Sequence, residues 1–134
     1  MSADTPSEVR LKGIGVGLVS VPRFERTLER FGDRFRRRIF SPAEIAYSKR
    51  KRHGSHSLAS RFAAKCAGRS VLRNRRVTGV RLRDIEVVQS PSGEPALVVS
   101  GVPPADGSGS LRFVLSLTHD ADLALASLWL EGSD

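Results

Sequence analysis

The most regular alternation of apolar and polar positions lies between Leu58 and Leu72, LASRFAAKCAGRSVL. The stretch is alanine-rich, free of proline and preceded by the loop-like HGSHS of residues 53–57, which predicts a helix. Leu58, Phe62 and Cys66 recur at i, i+4 and make an apolar ridge. Arg61, Lys65 and Arg69 recur at the same spacing and make a basic ridge beside it. On pattern alone, such a helix either carries a solvated charged edge or holds an anionic ligand against the core.

Upstream, residues 11–21 (LKGIGVGLVSV) alternate Ile14, Val16 and Leu18 with small residues. That predicts a buried strand whose glycines allow a close backbone approach. Pro22 opens a helix striped by Phe24, Leu28 and Phe31 and stopped by Gly32. The following DRFRRRIF keeps Phe35, Ile39 and Phe40 apolar among four arginines. Ser41-Pro42-Ala43-Glu44 is a capping box heading a helix over 42–48.

In the C-terminal half, residues 80–89 predict a strand with a shift near Asp84, followed by a turn over 90–95 and a second strand over 96–100. Residues 101–110 form a loop of Pro, Gly and Ser, too short to separate domains. Two last strands, 111–118 and 123–131, are joined through His119-Asp120-Ala121-Asp122. One strand, then helices, then mostly antiparallel strands is an α+β layout.

Composition narrows the partners. The chain has 134 residues, which suits one domain over 11–134 behind a flexible lead of residues 1–10. A formal charge of +8 draws in polyanions: nucleotides, nucleic acid, anionic lipid or an acidic protein. The basic run Lys49-Arg50-Lys51-Arg52 has no zinc spacing, RNA-binding signature or interleaved aromatics around it, so nucleic acid is not the expected partner. A single cysteine excludes an internal disulfide, and neither a signal-peptide layout nor a membrane-length apolar run is present. The expectation is a cytoplasmic protein with no membrane contact.

Five stretches, in order, resemble the holo-acyl-carrier-protein synthase family of 4′-phosphopantetheinyl transferases. G-I-G-V-G-L-V-S-V-P-R-F resembles the family's G-x-G-x-D leader, and G-D-R-F-R-R-R-I-F-S-P-A-E its G-x-x-F-x-x-R-h-F-T-x-x-E. L-A-S-R-F-A-A-K resembles the family helix L-A-x-R-F-A-x-K-E-A. D-I-E-V-V-Q-S-P-S-G-E-P-A-L resembles its hairpin, and L-S-L-T-H-D-A-D-L-A-L-A-S its closing strands. The resemblance implies an antiparallel sheet packed against helices, assembled as a homotrimer with active sites between subunits. It implies transfer of phosphopantetheine from coenzyme A to an acyl carrier protein, in fatty-acid or polyketide biosynthesis, with magnesium held by the leader's Asp and the helix's Glu.

At those two positions this chain carries Gly17 and Cys66, neither of them a ligand for a hard cation. Ser70 replaces a second lysine of the helix, and Glu94 stands at the hairpin tip. The expectation is therefore that magnesium is absent and ordinary transfer is lost or impaired. The positions that would bind are kept. Arg61, Lys65, Ser92, Gly93, Pro95 and His119 match coenzyme A contacts, and Arg23, Arg26 and Arg30 match a helix that docks the acidic carrier protein. Phe113, Leu115 and Trp129 offer area for a trimer interface. Three further possibilities follow. One is a repurposed enzyme acting on carrier-bound or CoA-bound acyl chains, in which Lys65, Cys66 and His119 are the catalytic candidates and Cys66 is a thiolate beside cations. Another is an active phosphopantetheinyl transferase with a rearranged metal site. The third is an interaction module without catalysis, in which Cys66 is a small buried hydrophobe.

Overall fold

The computed structural model describes residues 9–100, 112–120 and 122–133. Residues 1–8 of the expected lead and the expected loop over 101–110 lie outside the described residues. The strand expected from Leu11 already begins at Val9, so Val9 and Arg10 belong to it and not to the lead.

The element order is β1 (Val9–Ser20), α1 (Val21–Ile39), α2 (Pro42–Lys49), α3 (Gly54–Asn74), β2 (Ile85–Gln89), β3 (Pro95–Val99), β4 (Arg112–His119) and β5 (Leu123–Ser133). This is the α+β arrangement expected. β1, β5 and β4 form an antiparallel sheet in that order, and β2 and β3 form a separate hairpin. Among the described residues no helix is long and apolar enough to cross a membrane.

Helix ends follow local chemistry. Ser20 caps α1 by accepting from the Arg23 amide at 3.3 Å. Gly32 does not stop the helix, as expected, but kinks it at φ 58°, ψ −139°, and the chain resumes helically through DRFRRRI. The capping box at α2 is complete: the Glu44 amide donates to Ser41 Oγ at 3.2 Å and the Ser41 amide to Glu44 Oε1 at 2.9 Å. The strand expected from Val80 starts only at Ile85. Asp84 accepts from the Arg81 amide at 3.0 Å and its guanidinium at 3.2 Å, tying Leu82–Asp84 into a 3-10 turn.

α3 lies between the sheet and the hairpin. Its Ala63, Ala64, Ala67, Val71 and Leu72 pack with Ala126, Leu128 and Leu130 of β5 and with Ile85, Val87 and Leu97 of the hairpin. Burying a Leu or Val side chain contributes about 1.5–3 kcal/mol, so this three-layer contact carries much of the fold. A second cluster joins Val21, Phe24, Leu28, Phe40, Leu58 and Ala124, with Phe35 edge-on to Phe24 and Phe62 tilted against it.

β1 faces the opposite way from the expectation. Ile14, Val16 and Leu18 are about 60% exposed, and the glycine face is the buried one. The cause is steric. α3 approaches so closely that a Cβ at Gly15 would collide with the Ala67 carbonyl and one at Gly17 with the Ala63 carbonyl.

The basic ridge of α3 also departs from a solvated edge. Arg61 is 6% exposed and Lys65 is fully buried, leaving Arg69 as the exposed member.

Candidate functional site

A cleft of about 540 Å³ opens where the start of α3 meets the turn after α2, the hairpin and the end of β4. Lys51, Arg52 and Arg61 contribute cations to its wall, and His53, His56 and His119 contribute imidazoles. No carboxylate lines it among the described residues. Gly54 makes this corner possible, because a Cβ there would meet the Ser48 carbonyl oxygen at 2.5 Å. His53 sits at the cap position of α3 without a capping side-chain bond, so the positive end of a 21-residue helix faces this region.

Arg61 anchors the cleft. Its Nη1 donates to Ser57 Oγ at 2.9 Å and its guanidinium lies 4.2 Å from the Tyr47 ring centroid. Lys51 lies 4.8 Å from the same ring, and its hydrogen bond holds the Tyr47 hydroxyl below the usual tyrosine range against the opposing effect of burial. Arg61 Nε and Ser60 Oγ are buried without protein partners, although both residues line the cleft. Such groups cost about 1–3 kcal/mol each when left unsatisfied. The imidazoles cluster: His53 and His56 are 5.6 Å apart between ring centroids, and His56 and His119 are 6.4 Å apart, edge to face.

Of the residues expected to contact coenzyme A, the structure brings Arg61, Pro95 and His119 together in this cleft. Ser92 and Gly93 are at the exposed hairpin tip, where Gly93 takes φ 91°, and do not line it. Lys65 departs from the expectation altogether. Its ammonium pairs with Glu44 at 2.7 Å and donates to the Ile85 and Leu82 carbonyls at 2.5 and 3.1 Å. Burial lowers its pKa, with Glu44 opposing. Glu44 Oε2 also accepts from the Val87 amide at 3.0 Å. The pair thus clamps β2 to α2 and α3, and Lys65 is engaged as a structural cation and not as a phosphate contact.

Cys66 is half-buried, and desolvation pushes its thiol up despite Arg69 nearby. It does not line the cleft that contains His119, so the structure does not assemble the expected Lys65, Cys66 and His119 catalytic set. Arg23, Arg26 and Arg30 are exposed along one face of α1. Beside them, Leu18, Phe24, Thr27, Phe35 and Phe62 line an apolar hollow of about 320 Å³ with Arg23 at its edge.

Sequence reasoning did not pick out Tyr47, His53, His56 or Ser60, and took Lys51 and Arg52 only as part of a basic run. The signal available was His-x-x-His within HGSHS: those residues begin the helix, so the two imidazoles fall on one face.

The family model for the 4′-phosphopantetheinyl transferase superfamily matches residues 13–126. The chain belongs to that superfamily. Within it, the chain is 42% identical over 121 residues to a holo-[acyl-carrier-protein] synthase of Solibacter usitatus, covering 89% of this chain and 97% of the relative. The holo-[acyl-carrier-protein] synthase of Neisseria meningitidis has a similar fold at TM-score 0.74 and 30% identity, covering 90% of this chain and 98% of that one. The Bacillus anthracis synthase, solved in complex with CoA (3′,5′-ADP), matches at TM-score 0.71 and 28% identity, covering 92% and 98%.

The superfamily's expected magnesium does not fit the residues here. Position 17 has no side chain, and the Ala63 carbonyl fills the space a carboxylate's Cβ would need. Position 66 offers a thiol, a soft donor with a raised pKa, where a hard cation needs oxygen.

Proposed function

We propose that this chain is a holo-acyl-carrier-protein synthase-like protein that holds coenzyme A in the Arg61 cleft and docks an acidic acyl carrier protein along Arg23, Arg26 and Arg30. Magnesium-dependent phosphopantetheine transfer is lost or strongly impaired in it. The observation carrying this reading is the asymmetry of the site. The cleft carries Lys51, Arg52 and the buried Arg61 in its wall, while the strand that should bring a carboxylate is pressed glycine-first onto α3. The chain therefore keeps the means to bind a phosphorylated carrier substrate without the means to fix a cation on its diphosphate.

Support for the ligand comes from the cleft's cations and from relatives solved with coenzyme A. Support for the partner comes from the charge of α1 and the relatives' names. A cytoplasmic homotrimer is part of the same proposal, and its support is the uncovered apolar face of the sheet.

The test is transfer of phosphopantetheine from coenzyme A to several apo carrier proteins, followed by intact mass with magnesium and with chelator. Removing one well-aimed electrostatic group costs about a hundred- to a thousandfold in rate, so loss of both carboxylates should leave conversion near background and insensitive to magnesium. Brisk conversion that chelator abolishes would overturn the proposal.

A further inference from the structure

The cleft wall contains the Tyr47 ring, and cations gather on it. The Arg61 guanidinium lies 4.2 Å from the ring centroid, the Lys51 ammonium 4.8 Å and the Arg50 guanidinium 5.9 Å. They come from separate parts of the chain. Lys51 follows Tyr47 by one helical turn, and its amide donates to the Ser48 carbonyl at 3.1 Å. Arg61 comes from α3, where Ser57 Oγ accepts from its Nη1 at 2.9 Å. Resting on the cleft reading above, we propose that Tyr47 is a positioning residue. Its ring holds Arg61 and Lys51 in place, so that two cations are preset for the phosphates of an incoming ligand.

Converging cations repel one another, so something must offset that repulsion. Nearby carboxylates are engaged elsewhere. Glu44 pairs with Lys65 at 2.7 Å, and Glu86 accepts from the Ser41 hydroxyl. Asp120, next to His119, accepts from the amides of Asp122 and Leu123 at 2.8 and 2.9 Å. Among the described residues none of the three ion-pairs with Lys51 or Arg61. The ring supplies the attraction instead. An aromatic face is negative and draws a cation, and a guanidinium over it keeps N–H groups available at its edge. The hydroxyl responds to the same neighbours: the Lys51 hydrogen bond lowers its pKa most, and Arg61 adds to the effect. Fixing a long, mobile Lys or Arg on a ligand costs rotamer freedom. A ring that has fixed them beforehand removes part of that cost and so raises affinity without touching the ligand.

The experiment is calorimetric titration of 3′,5′-ADP onto the full chain and its variants, with folding checked by circular dichroism. Tyr47→Leu should weaken binding about tenfold, the size of two modest cation–ring contacts. Tyr47→Phe, which keeps the ring face, should bind within about threefold of wild type. A cycle with Lys51→Met separates positioning from packing. When Tyr47 acts through Lys51 and Arg61, the double variant loses clearly less than the product of the two single losses. Tyr47→Met, read the same way, replaces Tyr47→Leu should that variant not fold. Three results would each overturn the role of the ring while leaving the cleft reading in place. They are wild-type affinity in Tyr47→Leu, a Tyr47→Phe as weak as Tyr47→Leu, and single losses that multiply in the double variant. Absence of 3′,5′-ADP binding by the wild-type chain overturns the cleft reading and the proposal with it.

Discussion

At the scale of single residues, Gly17 decides most. A glycine in mid-strand gives up side-chain packing and costs conformational entropy, so its presence calls for a close neighbour, and the Ala63 backbone is that neighbour. Gly17→Ala should destabilise the protein by about 1–3 kcal/mol through overpacking, because the obstacle is helix backbone and not the end of a flexible side chain. Urea denaturation would check it; a variant as stable as wild type would mean that strand and helix part easily. The same obstacle bears on rescue. Gly17→Asp with Cys66→Glu restores the carboxylates on paper, but the strand must first move off α3, so we expect little recovered transfer and a lower unfolding midpoint. Lys65 teaches a related lesson. Beside Arg61 and Arg69 in sequence it looks like a ligand contact, yet its burial against Glu44 and two carbonyls leaves it no donor for the cleft.

At the scale of elements, α1 is the part most open to a partner. Arg23, Arg26 and Arg30 follow 3- and 4-residue spacing, which stacks them on one face. Their exposure makes the attraction one of long range and easily screened, over about 8–10 Å at ordinary salt. Arg23→Glu should therefore weaken carrier-protein binding chiefly by slowing association, with a smaller salt dependence than wild type, as read by surface plasmon resonance over a salt series. Binding indifferent to both salt and Arg23 would remove α1 as the docking element. The elements themselves were largely legible. Alanine content and the Ser41 capping box located α2 and α3, and turn residues located the hairpin. Period-two alternation located β1 but not which of its faces is inward, since the pattern is blind to how near a helix will come. The start of α3 was missed because Gly54, Ser55, His56 and Ser57 are poor helix formers on their own and are helical through tertiary context. With that turn went the two histidines of the site.

At the scale of the whole molecule, the sheet has an apolar face whose side chains are exposed among the described residues. Cross-strand register aligns Ile14 with Trp129 and Val114, Val16 with Ser127 and Ser116, and Leu18 with Leu125 and Thr118. Ile14, Val16 and Leu18 are 59, 60 and 63% exposed, and Leu123, Leu125 and Trp129 are 45, 40 and 38% exposed. Contiguous apolar surface of this kind marks an interface in a protein that is otherwise strongly charged. The residues first expected to supply it divide: Trp129 is on this face, whereas Phe113 and Leu115 pack in part against the core. Copies of this chain are the proposed cover, since the face is uncharged at its centre and so complements itself and not an acidic partner. Sedimentation velocity at micromolar concentration should give a trimer. Val16→Arg, at the middle of the face and outside the Arg61 cleft, should give a folded monomer, because an unpaired charge at the centre of a packed interface costs several kcal/mol. A wild-type monomer, or a Val16→Arg trimer, would sink this assembly. If the subunits share the site, the monomeric variant should also lose affinity for 3′,5′-ADP while keeping its circular dichroism spectrum. Unchanged affinity in the monomer would confine the cleft to one chain.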